Sequence, residues 1–395
     1  TIMTLQNAQL QLDDTPDLAS ETVIKAAHDI AGHLGAGSQV TRKDINAIFQ
    51  KLTGNGDAAD GWSVKMTGCA IELAELLWLR EHSGITLDSD FAETDKCFEI
   101  LEQALPPQHN RHDDQISLQQ FSTPARLAWV MALAAGIKPE DIVLEPSAGT
   151  GTLAIWPHLV GAKLIFNEID DLRSACLSEL FPGAPTFSHD GELINELLPS
   201  RHNPNLALMN PPFARSAERG KDGRSALRHL RSAWRRLAAG GRLVAIMPEG
   251  FSAAEFAKNE LGSCALRLDA RITRSFARRG TGITVRLVVL DKIASEQCVE
   301  PIDIDDFEGL YDACCALPER AASKSTAQTS RPKANPLALV SSYRSKRPFI
   351  RPRWWNRSRW GLLPRRSRSI SRWFQQTGGR TSFFPMRSAK CSSMR

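Results

Sequence analysis

Between residues 142 and 290, short apolar runs of four to six residues alternate with stretches that carry helix signals, and this alternation constrains the fold more than any other feature. The runs are Ile142 to Glu145, Lys163 to Asn167, Leu206 to Met209, Arg242 to Met247 and Val285 to Leu290. Helices are expected from Thr152, from Asp171 and over Ser225 to Ala238. Strands this apolar are buried on both faces, and a strand–helix–strand repeat joins parallel neighbours. The pattern therefore predicts an α/β fold built on a parallel, doubly wound sheet. Such sheets bind ligands beyond the carboxyl ends of their strands, so the residues that follow each run are the ones to read for chemistry.

The first run ends in Glu145-Pro146-Ser147-Ala148-Gly149-Thr150-Gly151. Two glycines after a strand let the backbone turn tightly and approach a ligand closely. The loop lacks the third glycine of the dinucleotide fingerprint and the lysine of a phosphate loop, which argues against a pyrophosphate or triphosphate. The next run ends Asn167-Glu168, about 20 residues beyond the glycine loop, a spacing at which a carboxylate accepts both hydroxyls of a ribose. Asp170 reads as the start of the following helix. A third acid, Asp190, follows another short apolar stretch; a ligand contact and a solvated loop acid are both open for it.

The run Leu206 to Met209 leads into Asn210-Pro211-Pro212-Phe213. The prolines fix φ and remove backbone donors, leaving the carbonyls of Asn210 and Pro211 to join the Asn210 amide oxygen as acceptors for an amino group. Phe213 adds a flat face for a planar ring. Taken alone, the same residues also fit a proline-rich turn that closes a strand. Upstream, Thr123-Pro124 predicts a helix start, with Thr123 as N-cap and Pro124 at the first helical position.

These motifs together resemble the S-adenosylmethionine-dependent amino-methyltransferases, best known in DNA N6-adenine methylases. The resemblance covers about residues 116–292 and implies a Rossmann-like class I methyltransferase sheet. It makes Asn210, Pro211, Pro212 and Phe213 the catalytic motif. It assigns S-adenosylmethionine to Glu145, Pro146, Ser147, Ala148, Gly149 and Gly151, with Glu168 gripping the ribose and Asp190 the adenine amino group. Gln120 to Pro124 resembles the motif that holds the methionine end of the cofactor, here through Thr123, and its position first gives the gamma-type motif order. Gly240 to Pro248 matches a further strand of the family. Phe276 falls where the family closes over a target base, although a core phenylalanine is equally open. Arg215 and Arg219, with Arg228, Arg231, Arg235 and Arg236 on the next helix, are candidate phosphate contacts or a solvated basic face. The implied substrate is the N6 amino group of adenine in DNA. An RNA base, a protein glutamine and a non-catalytic cofactor- or nucleic-acid-binding module remain alternatives.

Residues 1–107 read as a helical accessory domain. Val23, Ile24, Ala27, Ile30, Ala31 and Leu34 make one stripe, and Thr41-x-x-Asp44 is a capping box. His28 and His33 read as helix residues rather than metal ligands. Such a leader joined to this methylase resembles the strawberry-notch-type bifunctional methylase-helicases of plasmids and phages. No G-x-x-x-x-G-K-[ST] occurs, so a helicase is expected only as an absent domain or a separate partner. Residues 293–340 read as a short extension, with a helix around Phe307 to Ala316, and a linker. The tail 341–395 holds 15 of the 49 basic residues and no acid, leaving 34 basic against 44 acidic residues before it. Net charge in the main body is thus −10 and carries no global nucleic-acid signature. The tail is expected to be disordered or out of frame, with a shift near residue 340. Eight cysteines without a C-x-x-C pair predict neither zinc site nor disulfide framework. With no membrane-length apolar run and no leader peptide, a soluble cytoplasmic protein is expected.

Overall fold

The computed structural model describes residues 18–54, 61–107, 122–213, 224–260, 264–273, 284–295 and 297–320. Arg215, Arg219, Phe276, Gln120, Phe121 and the tail from 341 lie outside them. The α/β alternation becomes one eight-stranded sheet. Its strands are β1 (Ile142–Glu145), β2 (Lys163–Asn167), β3 (Thr186–Phe187), β4 (Leu206–Met209), β5 (Arg242–Pro248), β6 (Ala265–Ile272), β7 (Val285–Asp291) and β8 (Ile302–Ile304). They stand in the order β3-β2-β1-β4-β5-β7-β6-β8.

The pairs β1–β2, β1–β4, β2–β3 and β4–β5 are parallel. β7 is not: it runs antiparallel to both β5 and β6. This corrects the expectation of a wholly parallel sheet. β6 and β7 follow one another in sequence and pair side by side, and antiparallel neighbours need no crossover between them. β6 itself escaped the sequence pattern because charges interrupt it. The structure neutralises them: Arg286 pairs with Asp269 at 2.7 Å, and Arg267 with Asp291 at 2.9 Å.

Eleven described helices surround the sheet. In the leader, α1 (Leu18–Gly35) and α2 (Arg42–Thr53) precede α3 (Val64–Glu81) and α4 (Phe91–Ala104). The Thr41 capping box is present in full, its hydroxyl accepting the Asp44 N–H while the Asp44 carboxylate accepts the Thr41 N–H. α3 is buried almost all round, from Cys69 to Leu79, as expected of a helix with neighbours on every side. One continuous hydrophobic cluster runs from Val23 and Ile30 through Leu73 and Trp129 to Leu206 and Val244, so the leader and one face of the sheet share a core.

Next come α5 (Ala125–Ala135), α6 (Ile155–Val160), α7 (Asp171–Leu180) and α8 (Ile194–Leu197). They are followed by α9 (Ser225–Arg236), α10 (Ala253–Glu260) and α11 (Phe307–Cys315). α9 and α10 belong to a second apolar cluster on the opposite face, around Trp234, Leu243 and Phe256. α11, expected from the sequence, stacks Tyr311 on Trp129 of α5 at 5.5 Å. Among the described residues, no helix is long and apolar enough to cross a membrane.

Candidate functional site at the carboxyl edge of the sheet

The carboxyl ends of β1 and β2 are tied together by main-chain N–H groups of the β1 loop held on the last residue of β2 and the acid that follows. Gly149 and Gly151 take positive φ of 58° and 97°. At Gly151 a Cβ would stand 2.6 Å from the Phe181 ring, so both conformation and space require glycine. The turn holds Ala148 N–H on the Asn167 carbonyl at 3.0 Å and Gly149 N–H on Glu168 Oε2 at 2.6 Å. Glu168 Oε1 accepts the Asp170 N–H at 2.9 Å. The acid at the end of β2 therefore organises the loop at the end of β1, as a single carboxylate can when it accepts from two backbone donors. Asp170 does cap α7, accepting the Arg173 N–H at 3.1 Å.

Asn167, which the sequence reading passed over, completes the frame. Its Nδ2 donates to the carbonyls of Pro146 at 3.0 Å and His189 at 2.9 Å, and its Oδ1 accepts the His189 N–H at 2.9 Å. The residue before Asp190 is thereby fixed against Pro146. Asp190 itself is exposed and accepts the Glu192 N–H at 2.9 Å, capping a short 3-10 turn. A buried polar residue at a strand end was the signal available for Asn167.

Two acids in this frame are fully buried. Glu145 is 1 % exposed, and neither carboxyl oxygen has a partner among the described residues. Burial first, and then the neighbouring charge of Glu168, push its pKa well above the carboxylate range. Glu168 is also raised by burial, but the Arg173 guanidinium and the N–H groups of Asp170 and Gly149 pull it back. The pair is therefore unequal: Glu145 is the better proton holder and Glu168 the better anion.

Across the sheet, Asn210 sits at the end of β4. Its Nδ2 donates to Thr123 Oγ1 at 3.2 Å. This corrects the assignment of Thr123 as an N-cap. α5 begins at Ala125, the cap position is Pro124 with no side-chain cap bond, and the buried Thr123 hydroxyl faces Asn210 instead. Pro211 is buried, while Pro212 and Phe213 are half-buried, Phe213 packing against both hydrophobic clusters. Ser147 is half-buried on the loop between Pro146 and Ala148.

The basic face expected on α9 is partly spent within the fold. Arg228 makes a two-pronged pair with Glu192, at 2.6 and 2.7 Å, and Arg236 donates to the carbonyls of Pro199 and His202. Arg224 and Arg235 are exposed. Among the described residues, no group of three His, Cys, Asp or Glu side chains is placed to hold a metal, and the seven cysteines are free thiols.

Five neighbouring parallel strands in the order 3-2-1-4-5, with an antiparallel strand between the fifth and sixth, are Rossmann-like with one reversal. No protein-family model matches the chain. The U6 snRNA (guanine-N(2))-methyltransferase THUMPD2 of Bos taurus is 30% identical over 134 residues. That alignment covers 31% of this chain and 25% of the relative, so the chain spans about a quarter of the relative's length. Among solved structures, an rRNA methylase from Streptococcus thermophilus is 17% identical with TM-score 0.32, over 44% of this chain and 99% of that one. A structure of a type I R-M system is 12% identical with TM-score 0.40, over 74% and 72%. A SAM-dependent O-methyltransferase from Thermotoga maritima is 14% identical with TM-score 0.32, over 46% and 70%. These likenesses add nothing to the fold that the strand order does not already give.

Proposed function

We propose that this chain is an S-adenosylmethionine-dependent methyltransferase that modifies the exocyclic N6 amino group of adenine in DNA. The observation that carries the reading is the pairing of Asn210 with Thr123 beside a glycine loop organised by Glu168. The orphaned Glu145 carboxyl and the positive-φ turn at Gly149 fit a polar cofactor in that loop, because hydrogen-bond donors of a bound ligand would satisfy an acid that the protein leaves without a partner.

When bound, S-adenosylmethionine would supply an electrophilic methyl group, its sulfonium becoming the neutral thioether, and the amino nitrogen that takes the methyl would give up one proton to solvent. The rest is the work of the chain. Glu168, the better anion of the acid pair, would accept the ribose hydroxyls, and Pro146, Ser147, Ala148 and Gly151 would shape the loop around the ligand. Thr123 holds the amide nitrogen of Asn210, which directs the amide oxygen away from it. That oxygen and the Pro211 carbonyl would accept the two amino protons and localise the nitrogen lone pair, a stabilisation aimed at charge that develops during transfer. Phe213 would stack on a flipped base, and Asp190 would meet the cofactor's adenine amino group. Arg215, Arg219 and Phe276 remain proposed substrate contacts, and a separate helicase a proposed partner.

A second reading has its own support. The 30% identity to THUMPD2, which methylates the exocyclic amino group of a guanine in U6 snRNA, favours an RNA purine as the alternative acceptor. Both readings use one chemistry, an amino group on a planar ring, and differ in the polymer.

The test is methyl transfer from labelled S-adenosylmethionine to duplex DNA, single-stranded DNA and structured RNA, each with and without adenine. Label confined to adenine in DNA is expected. Label on guanine in RNA would move the assignment to the second reading, and saturable cofactor binding without transfer to any polymer would reduce the chain to a binding module.

A further inference from the structure

The leader helix α3 aims three polar side chains at the elements that frame the glycine loop. Lys65, Glu72 and Arg80 are spaced seven and eight residues apart, two helical turns each, and so share one face. Lys65 pairs with Asp170, the cap of α7, and Arg80 Nη1 donates to the Leu180 carbonyl at the far end of α7 at 2.6 Å. Between them, the buried carboxylate of Glu72 does more. Its Oε2 accepts the Thr150 hydroxyl at 3.0 Å and the Ser122 hydroxyl at 2.7 Å. Thr150 stands between the two glycines, and Ser122 directly precedes Thr123, the partner of Asn210. One oxygen on the leader therefore ties the cofactor loop to the segment that orients the amide.

Glu72 and Glu168 also both act on one buried cation through their charge. Arg173, 5 % exposed, stands in the fields of Glu72, Glu168 and Asp170, and its Nη1 lies 3.6 Å from where a Cβ on Gly149 would be. A buried guanidinium needs such acids, and a buried acid left without its cation is costly.

We propose that Glu72 is a positioning residue of the cofactor site, so that the helical leader is part of the methyl-transfer machinery. The inference rests on the methyltransferase reading above. Glu72 is assigned no substrate contact; it acts through Thr150 and Ser122, whose hydroxyls it holds. Nothing in the α3 periodicity requires an acid there, since the flanking residues from Cys69 to Leu79 are buried and mostly apolar.

The test uses the full chain and calorimetric titration with S-adenosylmethionine, with the thermal midpoint measured alongside. Glu72→Ala is compared with Ile30→Ala, a substitution of a buried apolar residue in the leader core on α1. Loss of a group that holds a ligand contact commonly weakens binding by roughly tenfold or more. Glu72→Ala is expected to show that loss, whereas Ile30→Ala lowers the midpoint with binding changed less than about threefold. Because Glu72 acts through Thr150, the effects of Glu72→Ala and Thr150→Val should be non-additive, the double variant being little worse than Glu72→Ala. Equal binding by Glu72→Ala and the unmodified chain, or equal loss in Ile30→Ala, overturns this inference alone. An unmodified chain that binds no cofactor overturns the methyltransferase reading and this inference with it.

Discussion

The two halves of the sheet's carboxyl edge are built differently. Around β1 and β2 the frame gathers several main-chain donors on two adjacent residues: the Ala148, Gly149, Asp170 and His189 N–H groups all have acceptors on Asn167 or Glu168. At β4, an amide-to-hydroxyl contact ties residues 87 apart, Asn210 and Thr123. A frame of many short bonds gathered on two adjacent residues is rigid before any ligand arrives, as the proposed cofactor site should be. A side-chain contact leaves an orienting group that can meet different acceptors. The difference predicts that substitutions in the first half act on cofactor binding and those in the second on transfer.

The largest effect should come from Asn210→Ala. Removing a preorganised acceptor at developing charge lowers turnover by roughly 10²- to 10³-fold, about 3 to 4 kcal/mol. Cofactor affinity should stay within about threefold, read by calorimetry on the same preparation; an equal fall in both would erase the division between the halves. Next is Glu168→Ala, which removes the acceptor of two N–H groups, Gly149 and Asp170, as well as the proposed ribose contact. Cofactor affinity should fall roughly 100-fold, about 2.7 kcal/mol.

Arg173→Met sharpens the comparison through pH. Burial raises the Glu168 pKa and Arg173 opposes that rise. Cofactor binding that needs ionised Glu168 weakens as pH falls through its pKa. Without Arg173 that pKa climbs further, so the weakening should begin at a higher pH than in the unmodified chain. Affinity profiles that superimpose across pH would remove Arg173 from the site. The smallest effect belongs to Arg228→Ala. Arg228 and Glu192 are partly buried, so the pair contributes about 1 kcal/mol and its loss should lower the thermal midpoint by a few degrees. Nucleic-acid affinity should not change with it, because the guanidinium is already committed to Glu192.

What was legible in the sequence follows the same division. Gly149, Gly151 and Glu168 stand out because backbone conformation and strand spacing demand them within some 20 residues of one another. The strands β1, β2 and β4 were legible to the residue because they are short, apolar and enclosed. β6 was not, since Arg267, Asp269 and Arg271 hide it until their partners on neighbouring segments are known. Thr123 was misread because Thr-Pro is a sound helix start in its own right, and only the fold brings Asn210 to its hydroxyl. Arg228 and Arg236 look like an open basic face along α9, yet their acceptors lie on the segment from Glu192 to His202. Glu72 was invisible for a related reason: in sequence it is one acid in a helix, 78 residues from the threonine it holds.

The most direct test of the central claim is a calorimetric titration of the full chain with S-adenosylmethionine, beside Glu168→Ala and Asn210→Ala. Saturable one-to-one binding that Glu168→Ala loses and Asn210→Ala keeps is the predicted result. No binding by the unmodified chain, or binding that Glu168→Ala retains in full, would contradict it.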